Sequence, residues 1–266
     1  MSAGAHAQWL TWPPKAQADA PTAAVRESTP YRGDGQTVEM LLQRNGPAIE
    51  VWVVNPLAGP VEVEVETGQG HTLRRLLAAN TRNLVDQFDT GHAVNAQMRA
   101  VPGPANGQAL PFTYALPVPE QGLRIDQADG GKYSHNNAEN RHALDFAAPL
   151  GTPVFVARDG LVMQAENDHA DLPPGQKPPQ GARPNFVRIL HTDGSMALYA
   201  HLKQGSIVVQ PGQQVGKGDR LGSVGNSGHS TAPHLHFVVQ INTGMRLESK
   251  RPEIETARGV LRIPHG

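Results

Sequence analysis

Short stretches of alternating apolar and polar residues, separated by glycine, proline and asparagine, make up most of this sequence. In VEVEVET, residues 61–67, the valines fall on one face of an extended chain and the glutamates on the other. A period of two predicts a half-buried strand with a solvated glutamate face. Helical periodicity is nearly absent. Its one candidate, LRRLLAANTRNLVDQF at residues 73–88, fits one helix or two strands joined by a loop, so an all-β fold is expected.

Turn-rich sequence divides the chain into two β units. LPVPEQG, residues 116–122, places two prolines and a glycine between two patterned regions and predicts a domain boundary. We therefore expect a flexible N-terminal arm (1–30), a small β-sandwich that positions or regulates (31–117), a compact antiparallel β-sheet domain with long loops (118–250) and a C-terminal tail (251–266). An insertion with five prolines, NDHADLPPGQKPPQGARPN, predicts an exposed loop long enough to border a cleft.

The composition excludes several classes of function. The formal net charge is −1, so the chain lacks the excess of basic residues on which non-specific nucleic-acid binding depends. No apolar run approaches the ~18 residues of a membrane-spanning helix, and no export signal is visible. Cysteine is absent, which removes disulfides, thiolate ligands and cysteine nucleophiles. Chemistry would therefore depend on histidine, carboxylates, serine or lysine.

Histidine is the residue type that stands out, because eight of the 12 lie between positions 135 and 236. In APHLHFVVQ, His234 and His236 share one face of a strand while Leu235 and Phe237 share the other. Two adjacent imidazoles suit zinc, or a metal ligand beside a proton carrier. An isolated H-x-H pair fits two solvent-facing histidines equally well, so the interpretation depends on further groups.

Asp145 is the carboxylate expected to join this pair. It stands between Leu144 and Phe146 in an apolar run, where a charge is costly unless it is paired or bound to metal. An ordinary buried hydrogen-bonding aspartate is the alternative. Two histidines precede it: on a continuous HALDF strand His142 would point away from Asp145. His135, in the polar loop YSHNNAENR, is therefore the preferred ligand.

One further histidine is a candidate for the site. His201 ends the strand ALYAHL, where it would share a face with Tyr199, and its candidacy rests on the other histidines. Loop-like sequence surrounds His169, His191 and His229, which are expected at the surface. His229 would lie nearest the site.

These motifs, in this order, resemble the lysostaphin-type (LytM-like) zinc endopeptidases of bacterial cell walls. The resemblance runs from about Ile125 to Gln240 and includes SHNNAENRHALDFAAPLGTPVFVARDG, YAHL and GNSGHSTAPHLHF. One departure is that the commonest family pattern is H-x-x-x-D, whereas Arg141 stands four positions before Asp145. The chain is similar to a branch whose first ligand comes from an upstream S-H.

The resemblance implies the site residues and the activity. It assigns one zinc ion to His135, Asp145 and His236, and catalytic roles to His201 and His234. It implies a periplasmic or secreted metalloendopeptidase that hydrolyses peptide bonds in peptidoglycan stem peptides or cross-links; a regulatory partner stays unassigned. The residues alone imply metal-assisted hydrolysis. The alternatives are a catalytically silent module that binds the wall or activates another hydrolase, and a lipoyl-like carrier domain in VQPGQQVGKGDRLGSVG.

Overall fold

The computed structural model describes most of the chain, and its regular elements are strands. The described residues are 10–12, 26–31, 38–67, 71–89, 96–128 and 135–261, the first two ranges as backbone only. They form 21 strands. Within these ranges no helix could cross a membrane. The predicted all-β class is confirmed.

Eight strands form two four-stranded antiparallel sheets in the N-terminal region. They are β1 (Leu10–Trp12), β2 (Arg26–Tyr31), β3 (Val38–Asn45), β4 (Ala48–Asn55), β5 (Val61–Thr67), β6 (His71–Leu77), β7 (Thr81–Asp89) and β8 (Ala96–Pro102). The strand orders are β1-β8-β5-β6 and β2-β3-β4-β7. Residues 73–88 are thus two strands joined by a turn, in which Asn80 adopts a φ of 52° that asparagine tolerates.

Both sheets contribute side chains to one apolar cluster. Val51 and Val53 of β4 are fully buried in it, together with Val63 of β5 and Met98 of β8. A shared apolar layer is what a sandwich requires. The sandwich itself and the domain limits stay predictions. β1 and β2 lie in the segment for which no structure was expected, and each pairs with a longer strand, β8 and β3 respectively.

The C-terminal region is built around one large sheet. Its strands are β9 (Thr113–Ala115), β10 (Arg124–Gln127), β11 (Leu144–Ala147), β12 (Pro153–Phe155), β13 (Gly160–Glu166), β14 (Asn185–Leu190), β15 (Met196–Leu202), β16 (Gln214–Val215), β17 (Arg220–Ser223), β18 (His234–Asn242), β19 (Leu247–Lys250), β20 (Glu253–Thr256) and β21 (Gly259–Val260). The large sheet has the order β10-β11-β18-β15-β14-β13-β16, and β19 pairs with the end of β18. The small sheets β12-β17 and β21-β20-β9 share its apolar cluster through Val154, Leu221 and Ile254.

The two faces of strand β18 lie in different environments. Leu235, Phe237 and Val239 project into the apolar cluster and are at most 2% exposed. Alternation places His234 and His236 on the opposite face. The two-faced strand predicted from APHLHFVVQ is therefore present, with its apolar side in the core.

Glu62 of β5 joins the two regions, so the expectation of a solvated face is wrong for Glu62 and Glu64, whereas Glu66 is exposed. Glu62 is 8% exposed, and its Oε2 accepts hydrogen bonds from Asn242 Nδ2 at 2.9 Å and from the Met245 backbone N at 2.7 Å. Glu64 is 4% exposed and pairs with Arg99 at 3.3 Å. A packed element buries a strand face whatever its polarity, and buried charges then need partners. These contacts lie at the end of β18 opposite its histidines.

Candidate metal centre

Two neighbouring strands bring His236 and Asp145 together. β11 and β18 are antiparallel, and Asp145 lies directly opposite His236 in their register. Side chains of opposite residues emerge on the same face with Cβ atoms about 4.5–5.5 Å apart. His236 Nδ1 is accordingly 2.8 Å from Asp145 Oδ1, and the two side chains are 10% and 6% exposed. The pairing therefore follows directly from the strand register.

The loop before β11 adds His135. Its ring is fully buried, and its Nε2 lies 3.3 Å from Asp145 Oδ1. Its Nδ1 is 3.0 Å from the Ala128 carbonyl oxygen. Because a carbonyl oxygen can only accept a hydrogen bond, Nδ1 carries a proton, and Nε2 is the nitrogen that faces the carboxylate. His135, Asp145 and His236 offer ligand atoms that all lie within 4.8 Å of one another.

This donor set fits zinc. Imidazole nitrogen and carboxylate oxygen bind zinc at about 2.0–2.2 Å, and tetrahedral bonds of that length place ligand atoms roughly 3.3 Å apart. The nitrogens of His236 and His135 lie 2.8 and 3.3 Å from Asp145 Oδ1, close to that spacing. Three protein ligands with an open fourth position are typical of catalytic zinc sites.

Asp145 is oriented and ionised within the cluster. Gln127 Nε2 donates to its Oδ2 at 2.9 Å, so Oδ1 is the oxygen that faces the histidines. Burial alone would raise the pKa of Asp145, but hydrogen bonds from His135 and His236 and the nearby imidazole charges outweigh burial and hold the pKa well below its usual value. The carboxylate is therefore negative at neutral pH, as a metal ligand must be.

His142 lies outside the cluster, although for a different reason from the one expected. β11 begins at Leu144, so the continuous HALDF strand does not form. His142 is half-buried in the preceding turn, with its backbone N 3.2 Å from Ser249 Oγ. The turn, not strand parity, separates it from Asp145.

We expect His142→Ala to keep its zinc and His135→Ala to weaken zinc binding, because only the second removes a nitrogen that faces Asp145. Zinc per chain after dialysis against a weak chelator measures both. Normal zinc content in His135→Ala together with loss in His142→Ala would reverse the assignment.

A β-bulge directs His201 toward the cluster. The β14 partners of Ala200 and Leu202 are consecutive residues, which leaves His201 as the extra residue in β15. His201 has a φ of 62°, which is uncommon for a residue other than glycine. The expectation that His201 shares a face with Tyr199 is therefore wrong, since the bulge turns its ring to within 4.6 Å of the His234 ring centre.

Backbone carbonyls fix the rings of His201 and His234. His201 Nδ1 lies 2.8 Å from the Ser227 oxygen, and His234 Nδ1 lies 2.8 Å from the Ala232 oxygen. His234 Nε2 is 3.9 Å from Asp145 Oδ1. Burial, with a further contribution from the neighbouring imidazoles, lowers the pKa of His201 to about 3. His201 is therefore neutral at pH 7, with a lone pair on Nε2.

The C-terminal region also matches a known protein family. Residues 139–247 match peptidase family M23. The match covers less than half of the chain, and this region is similar to peptidase family M23. The resemblance to the lysostaphin-type peptidases is thereby confirmed. The M23 match contains Asp145, His201, His234 and His236, whereas His135 precedes it, so the choice of His135 depends on the geometry described above.

Individual curated relatives and solved structures are also similar to part of this chain. The Vibrio cholerae peptidoglycan DD-endopeptidase ShyA is 36% identical over 119 residues, which are 45% of this chain and 24% of ShyA. The Neisseria meningitidis DD-carboxypeptidase/endopeptidase Mpg is 39% identical over 99 residues, which are 37% of this chain and 20% of Mpg. The solved catalytic domain of lysostaphin from Staphylococcus simulans is 26% identical, with 47% of this chain and 84% of that domain covered and a TM-score of 0.35. The chain thus spans a quarter or less of these two curated relatives.

The proline-rich insertion contacts the turn that lies beside His201. Asp171 Oδ1 accepts a hydrogen bond from the Asn226 backbone N at 2.7 Å. Gly228 has a φ of 72°, and a Cβ there would lie 2.4 Å from the Pro184 nitrogen, so only glycine allows this contact. The backbone between Asn226 and Gly228 includes the carbonyl that binds His201. The insertion therefore supports the turn that orients this ring.

Sequence reasoning missed the polar residues that support the M23 site. Gln127, Asn140 and the Ser227 carbonyl each contact one of the five site residues. None of them belongs to a periodic pattern. The polar composition of YSHNNAENR is the one signal that points toward Asn140.

Proposed function

We propose that this protein is a zinc-dependent endopeptidase that hydrolyses peptide bonds in peptidoglycan stem peptides or cross-links, with one zinc ion per chain. The observation that carries the proposal is the convergence of His135, Asp145 and His236, with His201 and His234 beside them. The match to a peptidase family supports peptide hydrolysis. The relatives named for peptidoglycan or DD-peptide cleavage support the substrate class.

In this proposal the zinc ion and the histidine side chains have different chemical roles. Zinc in such a site supplies Lewis acidity, which polarises a peptide carbonyl and lowers the pKa of water toward ~7. Neutral His201 offers Nε2 as the acceptor of a water proton. His234, whose ring centre is 4.6 Å from that of His201, is placed to stabilise negative charge on the carbonyl oxygen or to protonate the leaving amine.

The N-terminal region has a positioning role in this proposal. Its Glu62 binds Asn242, six residues beyond His236 on β18, which is about 20 Å along the strand. A contact at that distance supports the sheet without covering the histidines. Because the proposed substrate lies outside the cytoplasm, the protein is placed in the periplasm or the extracellular medium.

The competing function is a silent module that binds the wall or activates another hydrolase. Loss of one or more of the five groups would favour it. All five residues are present, and four of them lie inside the M23 match. The presence of all five residues supports a catalytic function over a silent module.

The deciding experiment is digestion of purified peptidoglycan by the full chain. Directly cross-linked and glycine-bridged walls are incubated with protein, with protein plus chelator, and with chelated protein to which zinc is restored. We expect fragments with new free amino termini by mass spectrometry, lost with chelator and recovered with zinc. The wall that releases fragments identifies the bond.

Two results would contradict the proposal. A protein that holds one zinc ion but releases nothing from either wall would be the silent module. Fragments with new reducing sugar ends in place of amino termini would indicate cleavage of the glycan.

A further inference from the structure

Asn140 contacts His236 from the side of the ring opposite to Asp145. Its Oδ1 lies 3.2 Å from His236 Nε2, and Asn140 and His236 are 9% and 8% exposed. His236 Nδ1 is meanwhile 2.8 Å from Asp145 Oδ1. Both nitrogens of this ring therefore have a defined neighbour, one a side-chain amide and the other the carboxylate.

His236 differs in this respect from the other three site histidines. His135, His201 and His234 each have Nδ1 against a backbone carbonyl, so their Nε2 atoms face the site. His236 presents Nδ1 instead, and its outer nitrogen is held by a side chain. Its outer nitrogen contacts a side chain and no backbone carbonyl, so a substitution can remove that contact.

We propose that Asn140 is a positioning residue that selects the tautomer of His236 for zinc. A neutral imidazole carries one proton, and an amide oxygen can only accept it. In the zinc-loaded protein, a proton on Nε2 toward Asn140 would leave the Nδ1 lone pair, beside Asp145 Oδ1, for the metal. The opposite tautomer would set a nitrogen lone pair against the amide oxygen. This inference rests on the zinc site of the proposed function.

The turn that carries Asn140 is held in place by the sheet. The Asn140 backbone N donates to Asn137 Oδ1 at 2.9 Å. Gln240 Nε2 of β18 donates to the Glu139 carbonyl at 3.0 Å, and the backbone N of Ser249 in β19 donates to the Ala138 carbonyl at 2.7 Å. The amide is therefore preorganised before any metal binds. Partners of this kind typically contribute 10–100-fold to metal affinity.

Zinc affinity of the full chain, measured by competition with a chromophoric chelator, tests this inference. Asn140→Leu has a similar shape without an acceptor, and we expect its affinity to fall by about 10–100-fold. Asn140→Asp keeps an acceptor oxygen and should stay close to wild type. Asn136→Ala, an exposed asparagine in the same loop, is the matched control and should not change.

A spectroscopic signal separates hydrogen bonding from a purely structural role. In the zinc-loaded protein with isotope-labelled imidazoles, the His236 Nε2 proton should be protected from exchange in wild type and Asn140→Asp. In Asn140→Leu it should exchange rapidly with water. Thermal unfolding of the zinc-free variants shows whether each is folded, and Asn140→Ala replaces the leucine variant if that one is not.

Three results bear on the inference differently. Wild-type affinity in Asn140→Leu would overturn it. Equal weakening in Asn140→Leu and Asn140→Asp would also overturn it, because the residue would then act through the turn alone. A wild-type protein that binds zinc but cuts no peptidoglycan would refute the proposed function and leave this inference standing.

Discussion

Replacing Asp145 by alanine should leave the protein without zinc and reduce hydrolysis to the level of chelated wild type. Asp145 Oδ1 is the atom common to the site, at 2.8 Å from His236, 3.3 Å from His135 and 3.9 Å from His234. Its carboxylate is the one negative group among these ligands, and burial makes its charge more effective than it would be in water. The remaining imidazoles cannot replace that charge. Zinc per chain by elemental analysis and peptidoglycan digestion measure the two losses together.

Two companion variants make this result specific. His236→Ala should behave like Asp145→Ala, because it removes another ligand. Asp126→Ala removes an exposed aspartate of β10 that pairs with Arg124, and it should keep both zinc and activity. One zinc ion per chain in folded Asp145→Ala would show that a different set of residues binds the metal.

The part of the site that depends on strand alternation was predictable from the sequence. The pattern APHLHFVVQ predicts which face of β18 is apolar. Because burying an unpaired charge is costly in free energy, the position of Asp145 between Leu144 and Phe146 indicates a paired carboxylate. The register of β11 on β18 then places Asp145 opposite His236. This register cannot be predicted from the local sequence, because the register results from pairing between segments that are distant along the chain.

His201 shows where parity reasoning fails. Alternation along ALYAHL puts it on the same side as Tyr199, which is fully buried in the core. One extra residue in β15 and a positive φ turn His201 to the other side. Bulges change the direction of side chains near functional sites, and the residues that make them have no distinctive composition.

Burial by distant elements explains the remaining errors. His191 was expected at the surface but is 3% exposed, because the Tyr114 ring of β9 packs 5.8 Å from its centre and its Nδ1 donates to the Asp159 carbonyl at 2.8 Å. Burial lowers the pKa of His191 to about 4. Glu62 is buried by the β18–β19 turn in the same way. In both cases the partner lies far along the chain, so no local pattern reports it.

The second large effect is expected from His234, to which the proposed function assigns proton transfer and not metal binding. His234→Ala should keep one zinc ion per chain and lower turnover by about 10²–10⁴-fold, the usual contribution of a positioned acid or base. His234 Nε2 is 3.9 Å from Asp145 Oδ1, farther than either proposed ligand nitrogen, and its side chain is 18% exposed, against 6% for Asp145. His201→Ala should give the same combination, because its neutral ring faces His234 and lies outside the ligand set.

Zinc content and kcat, measured on the same preparations, test this separation. His229→Ala, an exposed histidine in the neighbouring turn, is the matched control and should retain both. If His234→Ala loses its zinc while His236→Ala retains it, the roles within the H-x-H pair are reversed. A common loss of zinc in His234→Ala and His201→Ala would mean that the metal requires all five residues, and that metal binding and proton transfer are not divided between two sets of side chains.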